Sequence, residues 1–345
     1  MEPYFCLSVL LRGHMFFLDY AATVRYNCAV ETILILSGGY GMSALLTKML
    51  IFAVLLAIGY AGARRGGLDS GFTKGASMLI LKVFIVASIL NSVLGDKPEL
   101  SSKELGSALL LLSLTIVLCY VMGSIVSRTL YRNSSFAPQV DLLISAVNGL
   151  FVGLPVLAAV VGKEGVFYMG ISCIAFNLLL YTYGVWRMKQ GNSEEKFRFR
   201  DLITIPLVGA VIATLVFLLD IKLPTFLTEL ISTVSGATIP MSMIVIGATL
   251  GKTKLKEAFT DKTAYVISFF SLIVCPLLTW LIIAPFTDND VLRISCMVLA
   301  GSPCATIITP LTIRYGHDPA VSSKAIMVST VLSMISLPLL IKVLF

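Results

Sequence analysis

The stretch Asn148–Pro155 reads Asn-Gly-Leu-Phe-Val-Gly-Leu-Pro and lies inside an apolar run at about residues 137–160. Glycine destabilises the interior of a helix, and proline removes one of its backbone hydrogen bonds. The stretch combines two glycines, a proline and an amide. We therefore expect the helix to be broken near the middle of this run.

A second apolar run, at about 290–313, contains the stretch Gly301–Pro310, which reads Gly-Ser-Pro-Cys-Ala-Thr-Ile-Ile-Thr-Pro. Its two prolines are seven residues apart, with three hydroxyl side chains between or beside them. This pattern predicts a second break. Asn148 lies 105 residues after Ser43, where the first run of the chain begins, and Pro303 lies 101 residues after Leu202. The two breaks thus occupy corresponding positions in two halves of the chain.

The composition excludes a soluble globular fold. Of the 345 residues, 57% are hydrophobic and 13% are charged, and the mean hydropathy is +0.93. Soluble domains carry about 25% charged residues. Since a helix needs roughly 20 apolar residues to cross a bilayer, the chain has room for about ten spans with short loops. We expect an all-α, multi-pass membrane protein.

Ten apolar runs follow one another from Ser43 to the end of the chain. The first five lie at about 43–63, 73–94, 104–127, 137–160 and 165–187, and the others at about 202–219, 226–250, 262–284, 290–313 and 319–343. This predicts a five-helix repeat at 42–190, a cytoplasmic linker at 191–201 and a second five-helix repeat at 202–345. Residues 1–41 are expected to form an N-terminal extension of undefined structure, since charged and polar side chains break up its apolar stretches.

Loop charges predict the orientation. Loops after the odd-numbered runs carry 16 Lys and Arg residues, against 5 in the alternate loops, and basic loops face the cytoplasm. Both ends of the ten-helix core would then face outward across the cytoplasmic membrane. Because each half has an odd number of spans, the second half enters from the opposite side, and the repeat must be inverted.

Charge and cysteine content exclude other classes of protein. The net charge is +7, but the basic residues are scattered through short loops, so we expect no nucleic-acid partner. Seven cysteines, no Cys-x-x-Cys pair and two histidines do not suggest a disulfide framework or a metal site. We predict buried cysteines, no metal and no cofactor. The sequence has no P-loop, so ATP is not expected to drive the protein directly.

Paired interruptions in two inverted halves indicate a binding site at the membrane midplane, as in secondary transporters. Irregular backbone in lipid costs several kcal/mol per unsatisfied group unless it lines a polar cavity or is buried in protein. The alternative is a pair of proline kinks, each repaired locally.

These residues also resemble a known family. Asn148–Pro155 resembles the N-x-G-F-x-G-x-P crossover signature of the auxin efflux carrier family, which comprises bacterial and plant transporters for organic anions and includes a malate/malonate permease-like branch. The resemblance runs from about Met42 to the C-terminus. Further matching features are Pro206, Pro224, Gly236–Met241, Gly247, Pro303, Arg314–Asp318, Ser322–Lys324, Ser329–Ser333 and Leu337–Pro338.

The resemblance implies ten helices in two inverted five-helix repeats, with broken helices 4 and 9 crossing at the middle, in a sodium/bile acid symporter-like or NhaA-like architecture. Two positions depart from the family pattern. Leu150 stands where the family has its first glycine after the asparagine, with Gly149 one place earlier, and Val86 stands at a usual proline. These departures affect the shape of the pocket rather than the fold.

The candidate substrate-binding residues cluster at the two breaks and in the fifth span. Asn148 comes first, because an amide offers two donors and an acceptor without the cost of a buried charge. Its alternative role is to cap the broken helix. Asn177 and Tyr181 are four residues apart and would share a helix face, against the crossover or in interhelical packing. The full set is Asn148, Gly149, Gly153, Pro155, Asn177, Tyr181, Ser302, Pro303, Thr306 and Thr309. The hydroxyl groups in it could equally bond back to their own helix.

Two charged residues are candidates for ion coupling. Lys82 is a basic residue that lies well inside the second apolar run. Asp141 is an acidic residue near the predicted cytoplasmic start of the fourth run. Lys82 could attract an anion, snorkel towards headgroups or pair with Asp141. For Asp141 we expect a solvated carboxylate.

The sequence thus predicts a secondary active or facilitative transporter for a small organic anion, such as malate, malonate, lactate or a related weak acid. Its expected partners are that anion, the lipid bilayer and a proton or sodium co-ion. A homodimer is left open. The alternatives are a membrane sensor without transport and a sodium-coupled symporter of another organic anion. An enzyme is not expected, because no span carries an Asp pair, a Ser/His pair or a His-Glu-x-x-His motif.

Overall fold

A computed structural model describes residues 42–94, 100–189, 203–252 and 255–345. The predicted extension at 1–41 and linker at 191–201 lie outside these ranges. The regular secondary structure of the described residues is helical throughout.

Helices lie in all ten predicted apolar runs. The first half contains α1 (Met42–Arg64), α2 (70–91), α3 (Ser102–Leu130), α4 (Ala137–Ser145), α5 (Gly149–Val160) and α6 (Gly162–Lys189). The second half contains α7 (Ile205–Leu218), α8 (Thr225–Gly236), α9 (Thr238–Lys252), α10 (Leu255–Phe259), α11 (Lys262–Phe286), α12 (Asp290–Ala300), α13 (Ile308–Arg314) and α14 (Ala320–Leu344).

Six of the described helical segments are long and apolar enough to cross a membrane. They are Gly71–Asn91, Lys103–Leu130, Gly162–Lys189, Thr225–Gly251, Lys262–Phe286 and Ala320–Leu344. Large apolar side chains such as Leu110, Phe226 and Ile335 are more than 60% exposed. Helices that turn apolar side chains outward are suited to lipid, so the chain is a multi-pass membrane protein.

Short polar side chains start several helices at the residues where the apolar runs begin. Ser101 and Glu104 form a reciprocal capping box at the start of α3. The Asp69 carboxylate accepts a hydrogen bond from the Phe72 amide at 2.7 Å, and the Asn289 side chain accepts one from the Leu292 amide at 3.0 Å. Each cap satisfies an amide that has no partner within its helix.

Glycines bring α1 and α9 into direct backbone contact. A Cβ atom added at Gly59 would collide with the carbonyl oxygen of Ile244, and one added at Gly247 would collide with that of Leu56. Small residues allow such close approach between membrane helices. This contact explains why the apolar run of α9 contains Gly247.

The prolines in the predicted breaks do not all lie where the helices stop. α4 ends at Ser145, α12 ends at Ala300, and α13 begins at Ile308. Pro155 lies in the first turn of the α-helical segment Leu154–Val160, and Pro310 lies in the first turn of α13. A first turn tolerates proline because its N–H groups have no partner within the helix. The interruptions are therefore Ala146–Asn148 and 301–307.

Candidate functional site

The two interruptions contact each other through their backbones. The Asn148 amide donates to the Pro303 carbonyl oxygen at 2.7 Å, and the Ala305 amide donates to the Ala146 carbonyl oxygen at 2.9 Å. Val147 and Cys304 thereby form an antiparallel bridge. Backbone groups released by one broken helix are satisfied by those of the other, so neither break is a kink repaired only within its own helix. We call this pairing of residues 146–148 with 303–305 the crossover.

Side chains and one further helix complete the surroundings of the crossover. The Ser329 hydroxyl of α14 accepts a hydrogen bond from the Cys304 amide at 3.2 Å. An added Cβ at Gly153 would lie 2.7 Å from the Ser302 Oγ and 2.6 Å from the Met169 Cε. Gly153 is therefore the point where α5 meets Met169 of α6 and Ser302 after α12, and a larger residue there would have to displace these two side chains.

Asn148 is buried in the crossover with an unmatched donor group. The residue is 6% exposed, and its side-chain Nδ2 has no hydrogen-bond partner among the described residues. A buried donor left unpaired costs about 1–3 kcal/mol. Most buried polar groups in proteins are paired, so an exception of this kind at an interrupted helix is a candidate ligand contact.

The backbone N–H groups that follow Asn148 place partial positive charge beside its side chain, which favours anions. α5 begins at Gly149, and the first N–H groups of a helix have no partner within it. The N-terminal end of a helix carries partial positive charge and binds anions. The Asn148 carbonyl oxygen accepts from the Val152 amide at 3.1 Å, which fixes the start of α5 beside the unmatched side-chain amide.

The structure brings together part of the predicted set of substrate-binding residues. Asn148 and Pro303 are joined by a hydrogen bond, and Gly153 lies beside Ser302. An added Cβ at Gly149 would lie 3.3 Å from Leu299 Cδ1 in α12. These residues form the centre of the candidate site.

The hydroxyl groups of the second break have different surroundings. The buried Ser302 hydroxyl donates to the Val298 carbonyl oxygen of its own helix at 2.8 Å. Thr309 donates to the Ser322 hydroxyl at 3.2 Å and therefore faces α14. Thr306 is exposed. For Ser302, the structure therefore agrees with the alternative prediction, in which the hydroxyl donates to a carbonyl oxygen of its own helix.

In α6, the Asn177 side chain donates to the Cys173 carbonyl oxygen at 2.8 Å, again a bond within its own helix. Tyr181 is half-buried and belongs to a π-helical turn that begins at Leu180. The helix is α-helical from Gly162 to Leu179, so the wider hydrogen-bond spacing begins only at the end of the interval between Asn177 and Tyr181. The shared face of these two residues stays a prediction. Pro155 is buried within α5.

Asp141 differs from the sequence-based expectation of a solvated acid. The residue is fully buried, and its Oδ2 lies 2.8 Å from the Arg187 Nε and 2.7 Å from the Tyr183 hydroxyl. Its other oxygen accepts from the Ser145 hydroxyl at 3.3 Å. Arg187 also donates to the Ser127 hydroxyl at 2.9 Å. Because α6 places Arg187 beside α4, the acid near the membrane surface is enclosed and paired.

Lys82 does not pair with Asp141, and that alternative was wrong. Lys82 is exposed on the π-helical turn Ile80–Phe84 of α2. The ion pair of Asp141 is instead with Arg187. Arg187 lies at the end of an apolar run, where basic residues are common, so the sequence gives no sign of a buried partner 46 residues earlier in the chain.

Two further residues at the candidate site were not among the predicted site residues: Ser329 contacts the crossover, and Met169 lies beside the start of α5. Met169 faces Gly149 and Gly153, and Ser329 binds the Cys304 amide. Ser329 lies in the stretch Ser329–Ser333, which resembles the family pattern, and this resemblance could have indicated a role for Ser329. Met169 carries no such signal, because a methionine in an apolar helix looks like ordinary packing.

The fold and crossover define a class of protein: a multi-pass membrane protein whose interrupted helices meet around a polar site, as in membrane transporters. The family described as membrane transport protein matches residues 44–341, and the chain belongs to this family. It is therefore a membrane transporter, and the sequence-based assignment to the auxin efflux carriers is confirmed.

Two archaeal proteins are similar to the chain over most of its length. An uncharacterized transporter of Methanothermobacter thermautotrophicus is 27% identical over 232 residues, covering 65% of this chain and 76% of the relative. An uncharacterized transporter of Methanocaldococcus jannaschii is 23% identical over 313 residues, covering 84% of this chain and 96% of the relative.

Proposed function

We propose that the protein is a secondary or facilitative transporter for a small organic anion, such as a mono- or dicarboxylate, in the cytoplasmic membrane. The single observation that carries this proposal is the buried Asn148 side-chain Nδ2 at the crossover, which has no hydrogen-bond partner in the part of the chain that the structure describes. A carboxylate would accept a hydrogen bond from this amide and face the N-terminal end of α5.

The proposal includes a ten-span arrangement of two inverted five-helix repeats, at 42–190 and 202–345. Helices in all ten apolar runs and the meeting of the fourth and ninth runs at the crossover support it. Both ends of the core would face outward, as the loop charges favour. In alternating access, one group of helices moves relative to the other around the crossover. No covalent chemistry or cofactor is part of this mechanism.

At the candidate site we assign substrate contact to Asn148, with Pro303 in the crossover and Gly149, Gly153 and Ser302 beside it shaping the site. Pro155, Asn177, Tyr181, Thr306 and Thr309 remain candidates for the surrounding wall or for the pathway. Thr306 follows the crossover residue Ala305 in the chain and is exposed. Asp141 and Lys82 remain the candidates for proton or sodium coupling, although the Asp141 carboxylate already has Arg187 as its counter-ion.

The test is counterflow of labelled malate, malonate and lactate in proteoliposomes, with proton and sodium gradients imposed in turn. Uptake that requires unlabelled anion inside is the expected result. Dependence on one gradient would identify the co-ion. Binding of an anion without any flux would favour the sensor alternative and contradict the transporter.

Asn148→Ala should weaken anion affinity about tenfold or more, because a hydrogen bond to a charged group contributes roughly 1.5–3 kcal/mol. The amount of folded protein should be unchanged, since the removed amide Nδ2 has no protein partner among the described residues. Asn91→Ala is the matched control: this amide donates to Ser235 at 3.5 Å in another part of the structure and should leave flux unchanged. Wild-type affinity and flux in Asn148→Ala would remove this residue from the site.

A further inference from the structure

A polar cavity lies at the other end of α4 from the crossover. It has a volume of about 650 Å³, and its wall includes Arg128, Arg132, Gln139, Arg187 and His317. α4 has nine residues, and at 1.5 Å per residue it separates the cavity from the crossover by roughly 13 Å. The cavity is thus a separate place from the candidate transport site. We call it the arginine pocket.

The arginine pocket carries excess positive charge. Arg128 and Arg132 are exposed, and neither makes an ion pair with another residue in the part of the chain that the structure describes. The third arginine, Arg187, is paired with the buried Asp141. Asp318 also lines the pocket and adds one negative charge, so Arg128 and Arg132 together leave one positive charge in excess. The balance of charge favours an anion.

Gln139 gives a second, independent sign of a ligand. The residue lines the pocket and is 1% exposed, yet its side-chain Oε1 has no hydrogen-bond partner among the described residues. A buried acceptor left unpaired is costly, and such groups in proteins are usually matched. A hydroxyl group on the bound anion would donate to this oxygen.

The loop after α13 closes the pocket from the second half of the chain. Gly316 adopts a φ of +76°, which turns the backbone after the helix, and the His317 amide donates to the Thr312 carbonyl oxygen at 3.0 Å. The His317 ring Nε2 lies 2.9 Å from the Met188 carbonyl oxygen near the end of α6. Gly316, His317 and Asp318, the last three residues of the Arg314–Asp318 motif, therefore form part of the pocket wall.

We infer that the arginine pocket is a second anion site, which binds a phosphate group carrying or adjoining a hydroxyl. Arginine side chains match the oxygens of phosphate through paired hydrogen bonds. Arg128 and Arg132 belong to the segment before α4, whereas Arg187 lies on α6, so donors come from more than one direction. This suits a tetrahedral group better than a planar carboxylate. Hydrogen phosphate and the phosphoglycerol headgroup of a lipid both have this chemistry.

Occupancy of the arginine pocket would link segments from both halves of the chain, because its walls include residues near α4 and residues after α13. A ligand that binds only the folded protein stabilises it. The inference does not depend on which anion is transported, since its test measures binding and stability without flux.

The experiment measures thermal unfolding of the full chain with two probes. Inorganic phosphate is added in neutral detergent and compared with chloride and malate at equal ionic strength. In a second arm, the protein is reconstituted in phosphatidylglycerol vesicles and compared with phosphatidylcholine vesicles. We expect at least one phosphate probe to raise the Tm by a few degrees. A shift with inorganic phosphate indicates a soluble ligand, and a shift only with phosphatidylglycerol indicates a lipid headgroup.

Arg128→Gln/Arg132→Gln should abolish the shift without lowering the Tm measured in its absence, because both side chains are exposed. Arg64→Gln/Arg65→Gln is the matched control, since it removes two exposed arginines from a different loop and should keep the shift. Arg128→Lys/Arg132→Lys, which retains the charge, should keep part of it. An equal shift in the Gln pair, an equal shift with malate, or no shift with either phosphate probe in the wild type would overturn the inference.

Discussion

Asp141, in the middle of α4, and Asn148, three residues after its end, are two buried polar residues whose surroundings differ. The Asp141 carboxylate is matched by Arg187, Tyr183 and Ser145. The Asn148 side-chain amide is unmatched within the described residues. A matched group holds elements together, whereas an unmatched one is available for a ligand. This contrast separates Asp141, which positions α4 against α6, from Asn148, the residue that we propose contacts the transported anion.

Asp141→Asn should destabilise the protein by about 3–5 kcal/mol, because Arg187 would be left as a buried charge without its counter-ion. Arg187→Gln should have a similar effect. The double variant Asp141→Asn/Arg187→Gln removes both charges and should be more stable than either single variant. Thermal unfolding in detergent of all four proteins gives the coupling between the two sites. Additive losses of stability would contradict a structural ion pair.

At the scale of residues, the sequence predicted the position of Asn148 but not the environment of Asp141. Asn148 lies among glycines and a proline, so local sequence revealed the break. The surroundings of Asp141 depend on Arg187, which is 46 residues away. No local pattern encodes that contact, and a position near the end of a span favoured a solvated acid.

At the scale of elements, the crossover is made by short segments rather than by the prolines alone. Ala146–Asn148 and the residues after α12 exchange two backbone hydrogen bonds, and the Cys304 amide binds Ser329. The sequence indicated that both runs are interrupted. The sequence did not indicate the π-helical turns at Ile80–Phe84, Leu180–Gly184 and Phe270–Val274. A single wider turn does not change the apolar composition of a run, so it cannot be recognised from the residues.

Pro303→Ala should reduce transport while leaving the Tm nearly unchanged. Proline costs a helix interior about 3 kcal/mol relative to alanine, so the variant can extend α12 through the interruption. Extension would break the hydrogen bonds from the Asn148 amide to Pro303 and from the Ala305 amide to Ala146, which contribute roughly 1 kcal/mol each. The gain and the loss are of similar size, whereas the site itself would be lost.

The control for Pro303→Ala is Pro338→Ala, which replaces a proline inside the continuous helix α14. It should keep flux and raise or maintain the Tm. Unfolding in detergent and flux in liposomes are measured on the same preparations. A Pro303→Ala protein that is less stable but fully active would show that this proline serves packing, and it would contradict the crossover site in the second break.

At the scale of the whole molecule, the number of helices was predicted from the apolar content, and the orientation was predicted from the loop charges. Each of the ten predicted apolar runs contains a helix, and large apolar side chains point outward. These features follow from composition, since lipid requires apolar surfaces and satisfied backbone groups. The pairing of particular helices, such as α1 with α9 through Gly59 and Gly247, depends on contacts between distant segments and could not be read from the runs themselves.

The orientation of the chain is a prediction from its loop charges. Ser193→Cys and Thr253→Cys, at positions outside the described residues, should react with a membrane-impermeant thiol reagent only from the cytoplasmic side, because their loops are rich in Lys and Arg. Lys222→Cys, in an exposed loop of the opposite set, is the control and should react from outside in intact cells. The native cysteines are first replaced by serine. If the first two positions reacted from outside and Lys222→Cys only after the cells were opened, the molecule would be inserted the other way round, and the arginine pocket would then face the exterior.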